Sequence, residues 1–495
     1  DVAESQTELA EEERQRAEIA LAEQSKLTIQ LAEQVKIAEQ KTIEAERNLR
    51  IAEQQTAIAV EQTGIANEAK ADFEKQYIIA QAALKDANRL LYLSVAQSME
   101  AKSVGIDDPE QAGLLAMQGY LFHTKFEGKR YDPYVFSGLY YSLAKLNGSN
   151  YNALFVPGKL RNRMYSLAVS KNSNAFYTTG NDGRIFTGDF INHQMGDQVG
   201  ANPFPNRVIV LSKDEKYLVN GGDSSFVQVY TLDKSRRPLK IEGHHGSIND
   251  IKFLPNNAGF ISTASDRTLR YTDHLSGDSR QLLSLPFSLK SIDISGDGNW
   301  LAGVATSGEL IIVNLNTNTY ETVANETPNR VLSVAYHPTR NLVAYGVEIV
   351  NEKGIPVRGT VKLFDNNTKQ VTKELSGHRS GISAIRFSPD GLLLASAGLD
   401  RKLQMWVVDQ EEDLPILMDN NNGNIWDIGF AKDSNYLIAS CNNGEIRIWP
   451  TDPKMLAEQV CPKLTRNMTP EEWEIYVANG IEYETTCKSL LISDF

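Results

Sequence analysis

The sequence predicts a mainly β fold: a seven-bladed β-propeller preceded by a long α-helix and a small helical bundle, and followed by a short helical tail. Three observations predict it. A segment of the form apolar-x-apolar-x returns at a nearly constant step through the C-terminal two thirds of the chain. The first 63 residues contain no glycine and the first 72 no aromatic, and the first proline is Pro109. Between these regions lies a stretch with aliphatic and aromatic residues at helical spacing. The expected divisions are 1–70, a long helix and candidate coiled coil; 71–150, a helical adaptor bundle; 151–452, the propeller; and 453–495, the helical tail.

Composition sets the limits within which these elements are read. The chain has 495 residues, 41% hydrophobic and 23% charged, with a formal net charge of −13. That is globular, and the acidic balance argues against nucleic acid as a partner, since a phosphate backbone needs clustered Lys and Arg. No apolar run reaches the ~20 residues of a membrane span, and no charged-then-apolar signal opens the chain. It starts at Asp1 without a Met, so it is expected to be processed or cut from something longer. Cys441, Cys461 and Cys487 are the only cysteines, too few for a disulfide framework. Cys461 and Cys487 flank the tail helices, where two ordinary thiols and a bridge tying down the tail both remain open.

In the first helix Ala38, Ala45, Ala52, Ala59 and Ala66 recur every seven residues. Thr42, Leu49, Thr56 and Thr63 interleave at the 4-then-3 step of a coiled-coil seam. Ile37, Ile51, Ile58 and Ile65 widen the stripe. Small residues let two helices approach but bury little apolar area per heptad. The expectation is self-association or docking through this Ala/Ile face, against the alternative of a single solvated spacer. Residues 1–70 carry 15 acidic and 8 basic side chains, which suits a solvated outer face. Further on, "DDPEQAGLLAMQGYLF" offers Asp108 as a cap, Pro109 for the first helical position and Glu110 for the positive end of the dipole. The stretch "DPYVFSGLYYSLAKL" has the same Asp-Pro opening, and "NGSN" at 147–150 closes the helical part.

The repeat then takes over. "IFTG" ends at Gly188, "VQVY" at Tyr230, "LRYT" at Thr272, "LIIV" at Val313, "VKLF" at Phe364, "LQMW" at Trp406 and "IRIW" at Trp449, in steps of 42, 42, 41, 51, 42 and 43 residues. Seven units of this period suit four-stranded blades with one insertion. Each unit shows a preceding strand such as "SAIRFSP", a turn such as "PDG", and an aliphatic strand such as "LLLASAG". The last unit lacks an outer strand, because "PTDPKMLAEQV" starts a helix. "NALFVPG", from Asn152, is expected to supply it and so close the ring.

On these residues the chain resembles the WD40-repeat family. Gly377-His378 matches the family's Gly-His pair, Trp406 stands at its Trp position, and Ser396 and Asp400 fall at the matching strand and turn positions. The resemblance implies that His378, Ser396, Asp400 and Trp406 form a hydrogen-bonded structural tetrad, with a second copy in His244, Ser262 and Asp266 that lacks the indole. A hydrolase triad is disfavoured: the set recurs with the blade, and neither an oxyanion-hole sequence nor a nucleophile elbow accompanies it.

The segment "VAQSMEAKSVGIDDPEQAGLLAMQGYLF" and the tail "LTRNMTPEEWEIYVANGIEYETTC" resemble the parts that flank WD40 repeats in bacterial STAND-type signalling NTPases and related receptors. That resemblance implies an effector domain before Asp1 or on another chain, and it leaves the location open between cytoplasmic and tethered by a span ahead of this chain. The chain itself has no G-x-x-x-x-G-K-[ST] loop.

The functional expectation is a non-catalytic interaction, scaffold or sensor module that needs no cofactor or metal: no HExxH, CxxC or Asp-rich calcium loop is present. A structural spacer and an enzyme using the propeller channel are the alternatives. A protein or peptide partner is expected on the upper face, where blade turns and the loops entering the first strands open together. The single long step falls between Gly346 and Thr360, where "VEIVNEKGIPVRG" reads as an enlarged loop bearing Ile349 and Ile355. Arg267 and Arg401 from neighbouring turns, with Arg330 and Trp426 from entering loops, complete the candidate face.

Overall fold

The computed structural model describes residues 2–58, 65–157, 163–410, 414–478 and 480–490. They divide into two compact units, one of helices (1–148 with 452–495) and one of strands (149–451).

In the helical unit, α1 (Val2–Ile58) and α2 (Ile65–Gly105) pair as an antiparallel hairpin. The direction follows from the bonds between them: Gln24 reaches Gln97 at 3.0 Å and Thr28 meets Ser94 at 2.9 Å, while Tyr77 donates to Glu46 at 3.3 Å. On α1, Leu21, Gln24, Thr28, Leu31, Val35, Ala38, Thr42, Ala45, Leu49, Ala52 and Thr56 are all shielded, at alternating steps of three and four. On α2, Phe73, Tyr77, Ala80, Leu84, Ala87 and Leu91 follow the same rhythm. Of the two expectations for the Ala seam, self-association and docking, its described part docks, against α2 of the same chain. Ile29, Ile37, Ile43 and Ile51 stay exposed on the outside. The seam positions Ile58, Ala59, Thr63, Ile65 and Ala66 lie outside the described side chains.

The shorter helices start alike. Asp108 accepts from the Gln111 N–H at 2.7 Å ahead of α3 (Pro109–Lys125), and Asp132 caps α4 (Pro133–Asn147) through the Tyr134 and Val135 N–H groups. In the tail, Asp452 caps α5 (Pro453–Val460), and Thr469 forms a reciprocal capping box with Glu472 at α6 (Pro470–Tyr476). Proline at each first position costs nothing there, because that N–H has no helical partner anyway. The tail packs on the bundle and is not a separate element: Phe122 meets Trp473 edge-on, and Thr486 donates to Gln118 at 2.8 Å. Of the two readings left open for the tail cysteines, the bridge is present, joining Cys461 to Cys487.

The other unit holds seven four-stranded antiparallel sheets. Their inner strands are Met164–Val169, Asn206–Leu211, Ile248–Phe253, Leu289–Ile294, Arg330–Tyr336, Ile382–Phe387 and Ile425–Phe430. Numbered in that order, blades 1 to 6 are each contiguous, and blade 7 takes its outer strand from Ala153–Phe155, paired with Glu445–Pro450. The ring therefore closes as the sequence predicts. Arg447, fully buried, ties the closure down by donating to Asn152 and Asn150, each at 2.8 Å. Apolar clusters lie between blades: Val361 and Leu363 of blade 5 pack with Ile385, Leu394 and Trp406 of blade 6. A four-stranded sheet has two faces to cover, and neighbouring blades cover both.

Candidate functional site

The Gly-His motif is explained by backbone. Gly243 and Gly377 sit at φ 148° and 149°, where side chains are strained, and a Cβ on Gly377 would lie 2.5 Å from Gln404. The chain then turns each histidine into its sheet. His378 Nε2 is 2.7 Å from Ser396 Oγ, and its Nδ1 is 3.1 Å from Asp400. Blade 3 repeats this with His244, at 2.9 Å to Ser262 and 3.1 Å to Asp266. There Thr268 adds its hydroxyl to both His244 and Asp266.

Trp406 departs from the expected tetrad. In register it faces Leu394, whereas Ser396 faces Gln404, and its indole N–H is buried without a hydrogen-bond acceptor. The indole belongs to the apolar cluster between blades 5 and 6, so the polar unit is His–Ser–Asp. Burial lowers the His244 pKa and thus favours neutral imidazole. Burial also acts to raise Asp266, but the N–H groups of His245 and Thr268 and the Thr268 hydroxyl outweigh it and bring the carboxyl down to about 2.

These groups have triad distances without access. Ser396 is fully buried and Ser262 is 1% exposed, so neither hydroxyl meets a substrate. The arrangement orders the entries of blades 3 and 6.

A cavity of about 690 Å³ runs along the inner strands. Every inner strand carries a β-bulge near its start, directly after the first ladder pair in six blades and after the second, Val331↔Val347, in blade 5, whose ladder begins one residue earlier at Arg330. A bulge leaves one residue unpaired and re-aims it. The bulged residues are Tyr165, Arg207, Asn249, Lys290, Leu332, Ser383 and Trp426, one per blade, and all line the cavity. They form a ring at the end where the inner strands begin. Blades 2 to 4 contribute Arg207, Asn249 and Lys290, a polar and cationic arc; blades 5, 7 and 1 contribute Leu332, Trp426 and Tyr165. Trp426 meets Tyr165 edge-on at 5.5 Å, and the Arg207 guanidinium lies 5.6 Å from the Tyr165 ring.

Below the ring, carboxylates link successive blades. Asp250 accepts from the Ile292 N–H at 2.9 Å and from the Lys252 ammonium at 2.8 Å. Asp293 accepts from the Tyr336 N–H at 2.8 Å, and burial pushes its carboxyl pKa up. Asp427 accepts from Ser166 and from Arg386, each at 2.8 Å. A buried charge is tolerated when so paired.

Of the residues singled out in the sequence, only Trp426 lines the cavity. Arg267 and Arg401 stand at equivalent left-handed turn positions (φ 65° and 66°), both exposed. Arg330 begins its inner strand opposite Glu348 and pairs with it at 3.2 Å. The register puts all four at the same end of the blades. The insertion is a correction: it is a hairpin continuing the ladder through Ile349↔Arg358 and Val350↔Pro356, not an enlarged loop. Ile349 packs against the blade core, and Ile355 is exposed at the tip. Sequence reasoning missed six of the seven ring residues. Their signal lies in aligning "MYSLAV", "NRVIVL", "INDIKF", "LKSIDI", "VLSVAY", "ISAIRF" and "IWDIGF", whose fourth column is always aliphatic and whose second is not.

Fold and site together define a seven-bladed β-propeller carrying WD40 repeats. The family described as "WD domain, G-beta repeat" matches residues 236–273, 369–407 and 415–450. The chain is similar to the serine-threonine kinase receptor-associated proteins of Homo sapiens (28% identical over 202 residues) and Bos taurus (27% over 201), in each case over 40% of this chain and 54% of the relative. It is 21% identical over 238 residues to transcription initiation factor TFIID subunit 5 of Caenorhabditis elegans, covering 48% of this chain and 35% of that protein. The chain thus spans about half the length, or less, of these curated relatives. All three are eukaryotic WD-repeat proteins, and none supports the likeness to bacterial STAND-type NTPases. No described helix is long and apolar enough to cross a membrane.

Proposed function

We propose that the chain is a non-catalytic protein-interaction scaffold whose propeller receives a protein or peptide partner at the end of the channel where the inner strands begin. The observation that carries this reading is the ring of seven bulged residues, because side chains freed from ladder pairing at one mouth are available for contact. The only Ser–His–Asp sets described are buried structural ones, which weighs against the rival reading of a channel enzyme. Trp426 belongs to the ring, and Arg267, Arg401, Arg330, Ile349 and Ile355 extend the proposed face outward from it. The test is a photo-reactive amino acid placed in the full chain at Arg401, or at Asp433 in a turn at the opposite end of blade 7. The partner is captured from Arg401 and not from Asp433; equal capture from both removes the reading.

The helical unit is proposed to tether or assemble the scaffold. Its support is the exposed series Ile29, Ile37, Ile43 and Ile51 on α1. Light scattering on the chain with these four changed to Gln reads a lower mass if the outer face assembles copies, and an unchanged mass if it does not. A signalling role with an effector domain on a longer or separate chain, as in STAND-type receptors, belongs to the same proposal and rests on the sequence resemblance alone.

A further inference from the structure

The basic side chains lining the channel are not equivalent. Lys171 and Lys213 donate to the carbonyls of Phe430 and Pro255. Lys252 pairs with Asp250, Arg386 with Asp427 and Arg207 with Asp223. Lys290 differs: among the described residues its ammonium makes neither a hydrogen bond nor an ion pair. It is also half-buried at the bulge of blade 4, on the channel wall. A cation drawn partly out of water without a partner is costly, and a ligand anion removes that cost.

On the apolar arc the Trp426 indole N–H is likewise shielded from water with no acceptor, while its ring and Leu332 present carbon. The mouth thus combines an unpartnered cation, a second cation on Arg207, and an apolar wall. A multiply charged anion is a poor fit, because Glu215, Asp250, Asp293 and Asp427 also line the channel and repel excess negative charge. A single carboxylate fits.

We infer that the ring holds an acidic residue of a partner polypeptide beside an aliphatic one, the carboxylate against Lys290 and Arg207 and the aliphatic side chain against Leu332 and Trp426. This rests on the mouth being the interaction face, and it adds the chemistry of the occupant. Charge pairing in a partly dewatered pocket both selects the partner and fixes its register.

The test is an array of short Gly/Ser peptides with a central pair, Glu-Leu, Gln-Leu, Lys-Leu, Glu-Gly or phosphoserine-Leu, probed with the full chain. Glu-Leu is retained about tenfold over Gln-Leu, the ratio expected of one charge-assisted bond. Lys290→Met brings the ratio near one, and Lys290→Glu turns the preference to Lys-Leu; unchanged melting of both variants shows that the fold is kept. Four outcomes overturn the inference. They are no discrimination between Glu and Gln, a preference that survives Lys290→Met, equal retention of Glu-Leu and Glu-Gly, and tighter retention of phosphoserine-Leu, which marks a phosphate site. If Arg401 cross-links a partner while the array shows no acid preference, the inference falls and the interaction face stands. If Arg401 and Asp433 cross-link equally, both fall.

Discussion

His378 Nε2 lies 2.7 Å from Ser396 Oγ, the spacing of a nucleophile and its base, yet both residues are buried, His378 at the end of the outer strand of blade 5 and Ser396 within blade 6. The distance is a stability feature. His378→Ala leaves Ser396 and Asp400 without their shared partner, so the chain loses roughly 1 to 3 kcal/mol. Denaturant melts read this loss. A fluorophosphonate probe that labels Ser396 in the folded chain would contradict the structural role.

The blade 3 copy adds a pH dependence. A carboxyl whose folded pKa is depressed stabilises above its unfolded value, and that stability is lost as pH falls through the folded one. For Asp266 the window runs from its ordinary 3.8 down to about 2. His244, whose pKa burial lowers, acts in the same direction, beginning as pH falls below its ordinary 6.5. Asp266→Asn therefore lowers the melting temperature at neutral pH and flattens its fall between about pH 4 and 2. Parallel wild-type and variant curves through that window exclude the assignment.

In the helical unit Glu100 has the opposite sign. It is fully buried, neither carboxyl oxygen has a hydrogen-bond partner, and burial, aided by Asp132, pushes its pKa well above 4.5. A raised folded pKa gives stability that is complete below the unfolded value and lost as pH rises through the folded one. Glu100→Gln, which cannot ionise, thus gains on wild type in melting temperature as pH increases. Gly138 makes room for this side chain, since a Cβ there would sit 1.7 Å from Glu100 Oε2. Gly138→Ala is correspondingly disruptive, and Glu100→Ala offsets part of its cost. Additive losses in that double-mutant cycle would deny the contact.

The bridge between Cys461 and Cys487 spans a sequence separation of 26. Loop-closure entropy assigns it roughly 3 kcal/mol. Cys461→Ser lowers the stability of the helical unit by about that amount, read by hydrogen exchange in α5 and α6, with exchange in the inner strands unchanged. Uniform loss across both units would show that the tail does more than close its own loop.

These cases mark what the sequence made legible. The seven-fold step showed because each third strand keeps its apolar pattern, from "LQMW" to "IRIW", and ring closure followed from the strand missing after Trp449. The His–Ser–Asp set showed because all its members fall within one unit of the sequence repeat, although His378 ends the outer strand of blade 5 and Ser396 lies in blade 6. The bulge ring did not: Tyr165, Lys290 and Leu332 share neither shape nor charge, and a bulge is a backbone event that side-chain alternation only hints at. Glu100 was hidden for a different reason. A lone glutamate on a helix looks solvated until Gly119 and Gly138 are seen to bring their helices against it. The antiparallel pairing of α1 with α2 escaped because a 4-then-3 seam specifies a partner helix without saying which chain provides it.

The hairpin of blade 5 gives the last prediction. Its ladder runs on to Val350↔Pro356, beyond the point where Ile349 still packs against the blade core, so the outer turn from Asn351 to Ile355 contributes little to the fold. Asn351 closes that turn by itself, accepting from the Lys353 and Ile355 N–H groups at 3.0 Å each. Replacing residues 351–355 with a two-residue Asn-Gly turn keeps a hairpin closed and shifts stability by about 0.5 kcal/mol or less. It also removes the exposed Ile355 from the end of the blades that carries the ring. Capture of the partner cross-linked from Arg401 should then weaken, as it should separately with Trp426→Ala, where an aromatic anchor is lost. Binding that is unchanged in both variants would move the partner off this face, whereas loss in Trp426→Ala alone would confine it to the ring.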